Sequence, residues 1–193
     1  MMLYRFLRVF VKVFIRPLFR LELRGTENLP EDNGFILCAN HWSNWDPVFI
    51  AIMMTWPIRF MGKKELFTNP LLGGFLRKLG VFPINREGRD LKSMKYAIGL
   101  VNDNQTLGIF PEGTRVDEIS RSNLKEGVSY IALKAKCDLV PIEIISSYKP
   151  FQKTIIKINK PIKIDQYLSL KSKEAMKDIT DEIYKGIYQS RLS

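Results

Sequence analysis

The stretch GFILCANHWSNWDPVFIAIMMT, residues 34–55, decides the fold. Its first part, GFILCAN (34–40), is a short, nearly continuous apolar run and reads as a strand. Its last part, DPVFIAIMMT (46–55), opens with Asp46 and Pro47 and reads as a helix with proline in the first turn. Between them lies a polar and aromatic loop that holds the single histidine of the chain, His41, five residues before Asp46. Strand, loop and helix in this order make a unit of an α/β sheet, and in such sheets ligands collect in loops beyond the strand ends.

The same alternation continues outward. RLELRG (20–25), IRFMGK (58–63), VFPIN (81–85), TLGIF (106–110), LVPIEII (139–145) and KTIIKIN (153–159) read as strands. NPLLGGFLRKLG (69–80), RDLKSMKYAIGLVND (89–103) and KEGVSYIALKAKC (125–137) have helical spacing, and SKEAMKDITDEIYKGIYQS (172–190) is an amphipathic C-terminal helix. The expected fold is α/β, a mixed and mostly parallel sheet flanked by helices. At 193 residues the chain is one domain long and can bury a sizeable core. With one predicted helix after the sheet, no large lid is expected.

The net charge of +10 attracts nucleic acid, anionic membrane or anionic substrates. Neither zinc-finger spacing nor an RNP-like aromatic motif is present, so nucleic acid is not the expected partner. Cys38 and Cys137 sit in apolar runs without CxxC spacing and read as reduced core thiols of a cytosolic protein. One histidine and no cysteine cluster build no usual zinc site, so no metal is expected.

Residues 1–25, MMLYRFLRVFVKVFIRPLFRLELRG, are apolar except for Arg5, Arg8, Lys12, Arg16 and Arg20. At about 100° per residue these cations fall within roughly 120° of arc on one helical face. A membrane-spanning helix would bury Lys12 near its middle at about 2.5–3.5 kcal/mol. A secretory signal needs an uninterrupted apolar core and a small-residue cleavage site, and has neither here. An interfacial helix fits, with cations at anionic headgroups and the apolar side in the acyl boundary. The competing reading is a helix packed on the domain with snorkelling cations. Pro17 is expected to kink or end the helix. The expected organisation is a membrane-interface helical segment over residues 1–24 and a single α/β domain over 25–193. Membrane contact is expected through residues 1–20, which would make the protein peripheral on the cytoplasmic face of the cell membrane.

Three loops follow strands and carry chemistry: NHWSNWDP (40–47), FPINREGR (82–89) and FPEGTR (110–115). On its residues alone, Asp46 is either the carboxylate that orients His41 as a base or the N-cap of the next helix, and the two roles are compatible. Arg86 and Arg115 suit bidentate phosphate binding, Gly113 permits a tight turn, and Glu112 can accept from a substrate hydroxyl. The competing reading of FPEGTR is a plain turn with a solvated arginine.

In combination these blocks resemble the glycerophospholipid acyltransferase family, and they come in the family's order. NHWSNWDP is similar to its His-and-Asp block, GVFPINR to the second, FPEGTR to the third and LVPIEI to the fourth, over roughly residues 20–145. GKKELFTNPLLGGFLRKLG resembles the family's lysine-containing linker. Asn85 departs from the pattern, standing before Arg86 where many members have an acidic residue. The resemblance implies a glycerolphosphate acyltransferase-like fold. It also implies roles: His41 the general base, Asp46 its orienting partner, and Arg86 and Arg115, with Lys63 or Lys64, the holders of the acceptor phosphate. Glu112 would position the glycerol part, and Gly113 and Thr114 would shape the loop. The implied reaction is direct transfer of a fatty acyl group from a thioester of acyl carrier protein or coenzyme A to the free hydroxyl of 1-acyl-glycerol-3-phosphate. It uses no nucleophilic Ser or Cys, no metal and no cofactor beyond the donor substrate. Another lysophospholipid or a lyso-aminolipid as acceptor, and a non-catalytic protein that binds anionic lipid, are the alternatives.

Overall fold

The computed structural model describes residues 2–85 and 90–192. The chain runs α1 (Met2–Leu18), β1 (Leu21–Arg24), β2 (Ile36–Ala39), α2 (Asp46–Met53), β3 (Ile58–Lys63), α3 (Pro70–Lys78), β4 (Phe82–Ile84) and α4 (Leu91–Asn102). It continues with β5 (Thr106–Ile109), α5 (Gly127–Ala135), β6 (Leu139–Ile145), β7 (Thr154–Ile158), α6 (Ser172–Ile187) and a final turn of helix, α7 (Gln189–Leu192). Helix starts follow from local chemistry. Asn69 Oδ1 accepts the amides of Leu71 and Leu72 ahead of Pro70, and the Asp90 carboxylate accepts that of Ser93.

The strands form a mixed sheet in the order β1-β7-β6-β2-β5-β3-β4. Neighbours pair in parallel except β6 and β7, which are antiparallel, so β1 and β7 run against the other strands. The C-terminal ends of β2, β3, β4, β5 and β6 therefore share one edge of the sheet. The start of β1 lies on that edge too.

Alternation along the strands sends side chains to two cores. Ile36, Cys38, Leu107, Ile109 and Leu139 pack under α4, α5 and α6. Leu37, Ala39, Ile58, Phe60, Val140, Ile142 and Ile156 pack on the other face against α2 and, beyond it, the Val11, Ile15 and Leu18 side of α1. Gly108 makes room for Phe60: a Cβ there would come within 2.4 Å of the Phe60 ring. Both cysteines are free and buried in these cores. Burial pushes the thiol of Cys38 well up and that of Cys137 to about 12.

Pro17 lies in the last turn of α1, and the helix ends one residue later. The expected segment boundary at residue 24 falls at the end of β1, so the sheet's edge strand lies inside the span 1–24. Residues exposed on α1 include Val9, Phe10, Val13 and Phe14, while Arg8 and Lys12 are half-buried. Arg8 Nη1 donates to the carbonyl of Met54 at 2.8 Å, at the C-terminus of α2, where a cation also meets the negative end of the helix. Arg8 and Lys12 thus lie at the boundary between two apolar stripes, one packed on α2 and one open. Among the described residues no helix is long and apolar enough to cross a membrane.

Candidate active site

β2 ends at Ala39, and the next side chain locks the loop to the sheet. Asn40 is buried and reaches across to β6, where its Nδ2 donates to the Ile144 carbonyl at 3.0 Å and its Oδ1 accepts the Ile144 amide at 2.7 Å. This amide pair extends the β2–β6 ladder by one side chain and fixes where His41 leaves the sheet. The His41 ring stacks on Phe110 at 4.1 Å between centroids, bringing the ends of β2 and β5 together.

Asp46, 0% exposed, organises the loop. Its Oδ2 accepts the amides of Trp42 and Ser43 at 2.8 and 2.7 Å and lies 3.1 Å from His41 Nδ1. Its Oδ1 accepts the Tyr148 hydroxyl at 2.7 Å. As the first residue of α2, Asp46 also sits where the helix end favours an anion. The N-cap reading of Asp46 is corrected here: Trp45 occupies the cap position, and the Asp46 carboxylate gathers loop amides upstream instead of the helix's own. With Nδ1 facing the carboxylate, Nε2 is the ring atom left for a substrate proton. The His41 side chain is 13% exposed, enough to be reached from one side.

The FPEGTR loop meets the histidine loop through its backbone. The Val116 amide donates to the His41 carbonyl at 3.0 Å, and the His41 amide donates to Glu112 Oε1 at 3.3 Å. Gly113 has φ +71°, a left-handed turn conformation that favours glycine. Glu112 is 2% exposed, and its Oε1 also accepts the Tyr188 hydroxyl at 2.7 Å. Oε2 is buried with no hydrogen-bond partner among the described residues. Burial pushes this carboxyl above its ordinary range, against the pull of the Tyr188 and His41 donors. The geometry makes Glu112 a brace behind His41 and not an outward-facing contact for glycerol.

Thr114 and Arg115 are exposed on this edge, as are Lys63 and Lys64 at the end of β3. Lys63 faces Glu65 at 3.8 Å. Arg86 lies outside the described residues. Flanking that gap, the Asn85 amide donates to Asp90 Oδ2 at 2.8 Å, and such amides hold the Asp90 carboxyl below its usual range.

Three supporting residues escape a reading of the sequence blocks. Asn40 was visible only as the residue before His41. Tyr148 sits in the turn after β6 at φ +57°, and Tyr188 ends α6. Burial pushes both tyrosine hydroxyls up, and the neighbouring carboxylates add to it, so both stay protonated as donors. α7 keeps this end in place: the amide and hydroxyl of Ser190 donate to buried Glu143 at 3.0 and 2.6 Å. Arg191 lies over the Trp42 ring at 5.2 Å.

An apolar groove of about 310 Å³ lies between α1, α2 and α3, lined by Val11, Pro47, Val48, Phe60, Phe75 and Leu76 among others. One of its lining rings, Phe60, lies 6.1 Å from Phe110, which in turn stacks on His41.

A buried carboxylate holding one imidazole nitrogen, at the C-terminal edge of a mostly parallel sheet, is an arrangement able to accept a proton. The family model described as Acyltransferase matches residues 20–145, and the chain belongs to the acyltransferase family. A 1-acyl-sn-glycerol-3-phosphate acyltransferase of Bacillus subtilis (strain 168) is 33% identical over 192 residues, spanning 96% of this chain and 95% of the relative. The protein of that name from Streptococcus pneumoniae is 35% identical over 146 residues, spanning 73% of this chain and 53% of its own length. The fold matches the crystal structure of a 1-acyl-sn-glycerophosphate acyltransferase from Thermotoga maritima with a TM-score of 0.70 at 23% identity. That match covers 98% of this chain and 82% of the other.

Proposed function

We propose that the chain transfers a fatty acyl group from an acyl thioester to the free hydroxyl of 1-acyl-glycerol-3-phosphate, giving phosphatidate. The observation that carries this reading is the His41–Asp46 pair, with Nδ1 facing a fully buried carboxylate and Nε2 left to work. His41 Nε2 takes the hydroxyl proton as the oxygen attacks the thioester carbonyl. The tetrahedral intermediate collapses, the carbon–sulfur bond breaks, and the thiolate leaves with the proton returned from His41. Asp46 holds the tautomer and balances the imidazolium. The exposed cations Arg115, Lys63 and Lys64 on the same edge suit a phosphate, and Arg86 belongs to this group by sequence. The apolar groove whose Phe60 wall packs toward Phe110 suits an acyl chain. Acyl carrier protein and coenzyme A are both anionic, and either suits the basic surface as donor. α1, with its open apolar stripe, would keep the site on the cytoplasmic leaflet where the acceptor resides.

The test is purified protein with lysophosphatidate in vesicles and a labelled acyl thioester. His41→Ala is expected to abolish transfer while the melting temperature stays within a few degrees. Full activity in that variant would overturn the mechanism, and transfer to other lysolipids in preference would overturn the acceptor.

A further inference from the structure

The β3–α3 connection and the first turns of α3 carry an apolar face that neither core covers. Leu71 is 85% exposed, and Leu66, Leu72 and Phe75 are exposed beside it. Leaving such side chains in water forgoes about 1.5–3 kcal/mol each relative to full burial, and contiguous patches of this kind mark contact surfaces. α3 follows the C-terminal end of β3 after a single 3₁₀ turn (Lys64–Phe67), so its N-terminal end lies at the His41 edge of the sheet.

Two further observations say what covers the face. First, α3 is one wall of the apolar groove whose opposite wall is α1: Phe75, Leu76 and Leu79 face a cavity shared with Arg8 and Val11. α1, which carries the exposed side chains Val9, Phe10, Val13 and Phe14 on another of its faces, thus flanks the same groove as α3. At the end of α1, Phe151, itself 72% exposed, is tied to Leu18 by a backbone hydrogen bond, which extends the apolar rim along the same edge. Second, cations accompany the rim. Lys63, Arg115 and Lys149 are exposed at the sheet's C-terminal edge, and Arg77 and Lys78 are exposed on α3. Exposed apolar side chains on the same edge as an excess of cations, with the turn's Glu65 paired to Lys63, complement an anionic bilayer surface.

We infer that α3 and the turn before it form a second membrane-inserting element, opposite α1, so that the groove between the two helices opens into the bilayer. A lipid acyl chain then enters the groove sideways without crossing water. The inference rests on the proposed function only for the identity of that lipid, since the insertion itself is a property of the surface.

Leu71→Cys and, as control, Glu174→Cys on α6 are labelled with an environment-sensitive dye. Cys38 and Cys137 are buried and stay unlabelled in the native protein. Vesicles of equimolar phosphatidylglycerol and phosphatidylcholine are expected to blue-shift the dye at position 71 and not at 174, with quenching by nitroxide-labelled lipid. Leu66→Asp together with Leu71→Asp is expected to weaken vesicle binding about tenfold at an unchanged melting temperature. A dye at 71 that stays in water while one at Val13→Cys inserts overturns the inference. So does a blue-shift without vesicles in a protein migrating as a dimer, which assigns the face to a second copy. If insertion occurs but lysophosphatidate is not acylated, the proposed function falls and the membrane surface stands. Acylation without insertion at 71 reverses that outcome.

Discussion

Two carboxylates stand behind His41, and the protein treats them oppositely. Asp46 is completely buried yet faces four donors, three on one oxygen and one on the other, at the start of a helix. Glu112 is almost as buried, but two donors share one oxygen and the second oxygen has no partner among the described residues. Burial favours the neutral acid, and donors to the charged form or a nearby positive charge oppose it. Burial alone therefore does not say which carboxylate serves the base. The count and placement of donors suit Asp46 to holding the imidazole and Glu112 to the scaffold.

The sharpest way to break this contrast is Asp46→Asn. It removes the charge and invites the wrong histidine tautomer, and it is expected to lower kcat by about 10²–10⁴ in the acyl-transfer assay. Glu112→Gln should cost far less, and equal losses would erase the distinction. Next comes Tyr188→Phe. It strips a donor from a carboxyl already short of one, and is expected to lower unfolding stability by about 1–3 kcal/mol in denaturant titrations. Tyr148→Phe removes, among the described residues, the donor to Asp46 Oδ1. About a tenfold loss in kcat at an unchanged KM is expected. A drop in melting temperature with kcat unmoved would make Tyr148 merely structural.

The smallest effect is the pH dependence of Glu112→Gln. The Glu112 carboxyl is raised in the folded state, so its contribution favours folding at low pH and is lost as pH rises through the raised value. Thermal melts of the parent should therefore lose stability, relative to Glu112→Gln, as pH rises from the ordinary glutamate range. A constant difference across that range would contradict the shift.

The regular elements were legible because their patterning is local. IRFMGK and LVPIEII are strands over the expected residues, and DPVFIAIMMT opens its helix at Asp46 as the Asp-Pro signal predicts. The meeting of NHWSNWDP with FPEGTR was legible as well, since parallel strands deliver their following loops to one edge. What the sequence hid were long-range partners. Tyr148 reaches Asp46, and Tyr188 reaches Glu112, from segments beyond the matched blocks. In sequence one is a turn residue and the other part of an amphipathic helix. The face of α1 that seats on α2 was hidden for the same reason, as an apolar arc wider than one interface carries no mark of which side is covered.

The edge of the sheet carries a consequence for the order of assembly. β1, near the start of the chain, has β7 as its sheet neighbour, with Leu21 opposite Thr154. A ribosome releases α1 and β1 long before their ladder partner exists, and closing that contact spans most of the polypeptide. The helix ahead of β1 meets its α2 partner early, through Val11, Ile15, Leu18 and the Arg8–Met54 bond, whereas β1 waits for the last strand to close the sheet edge.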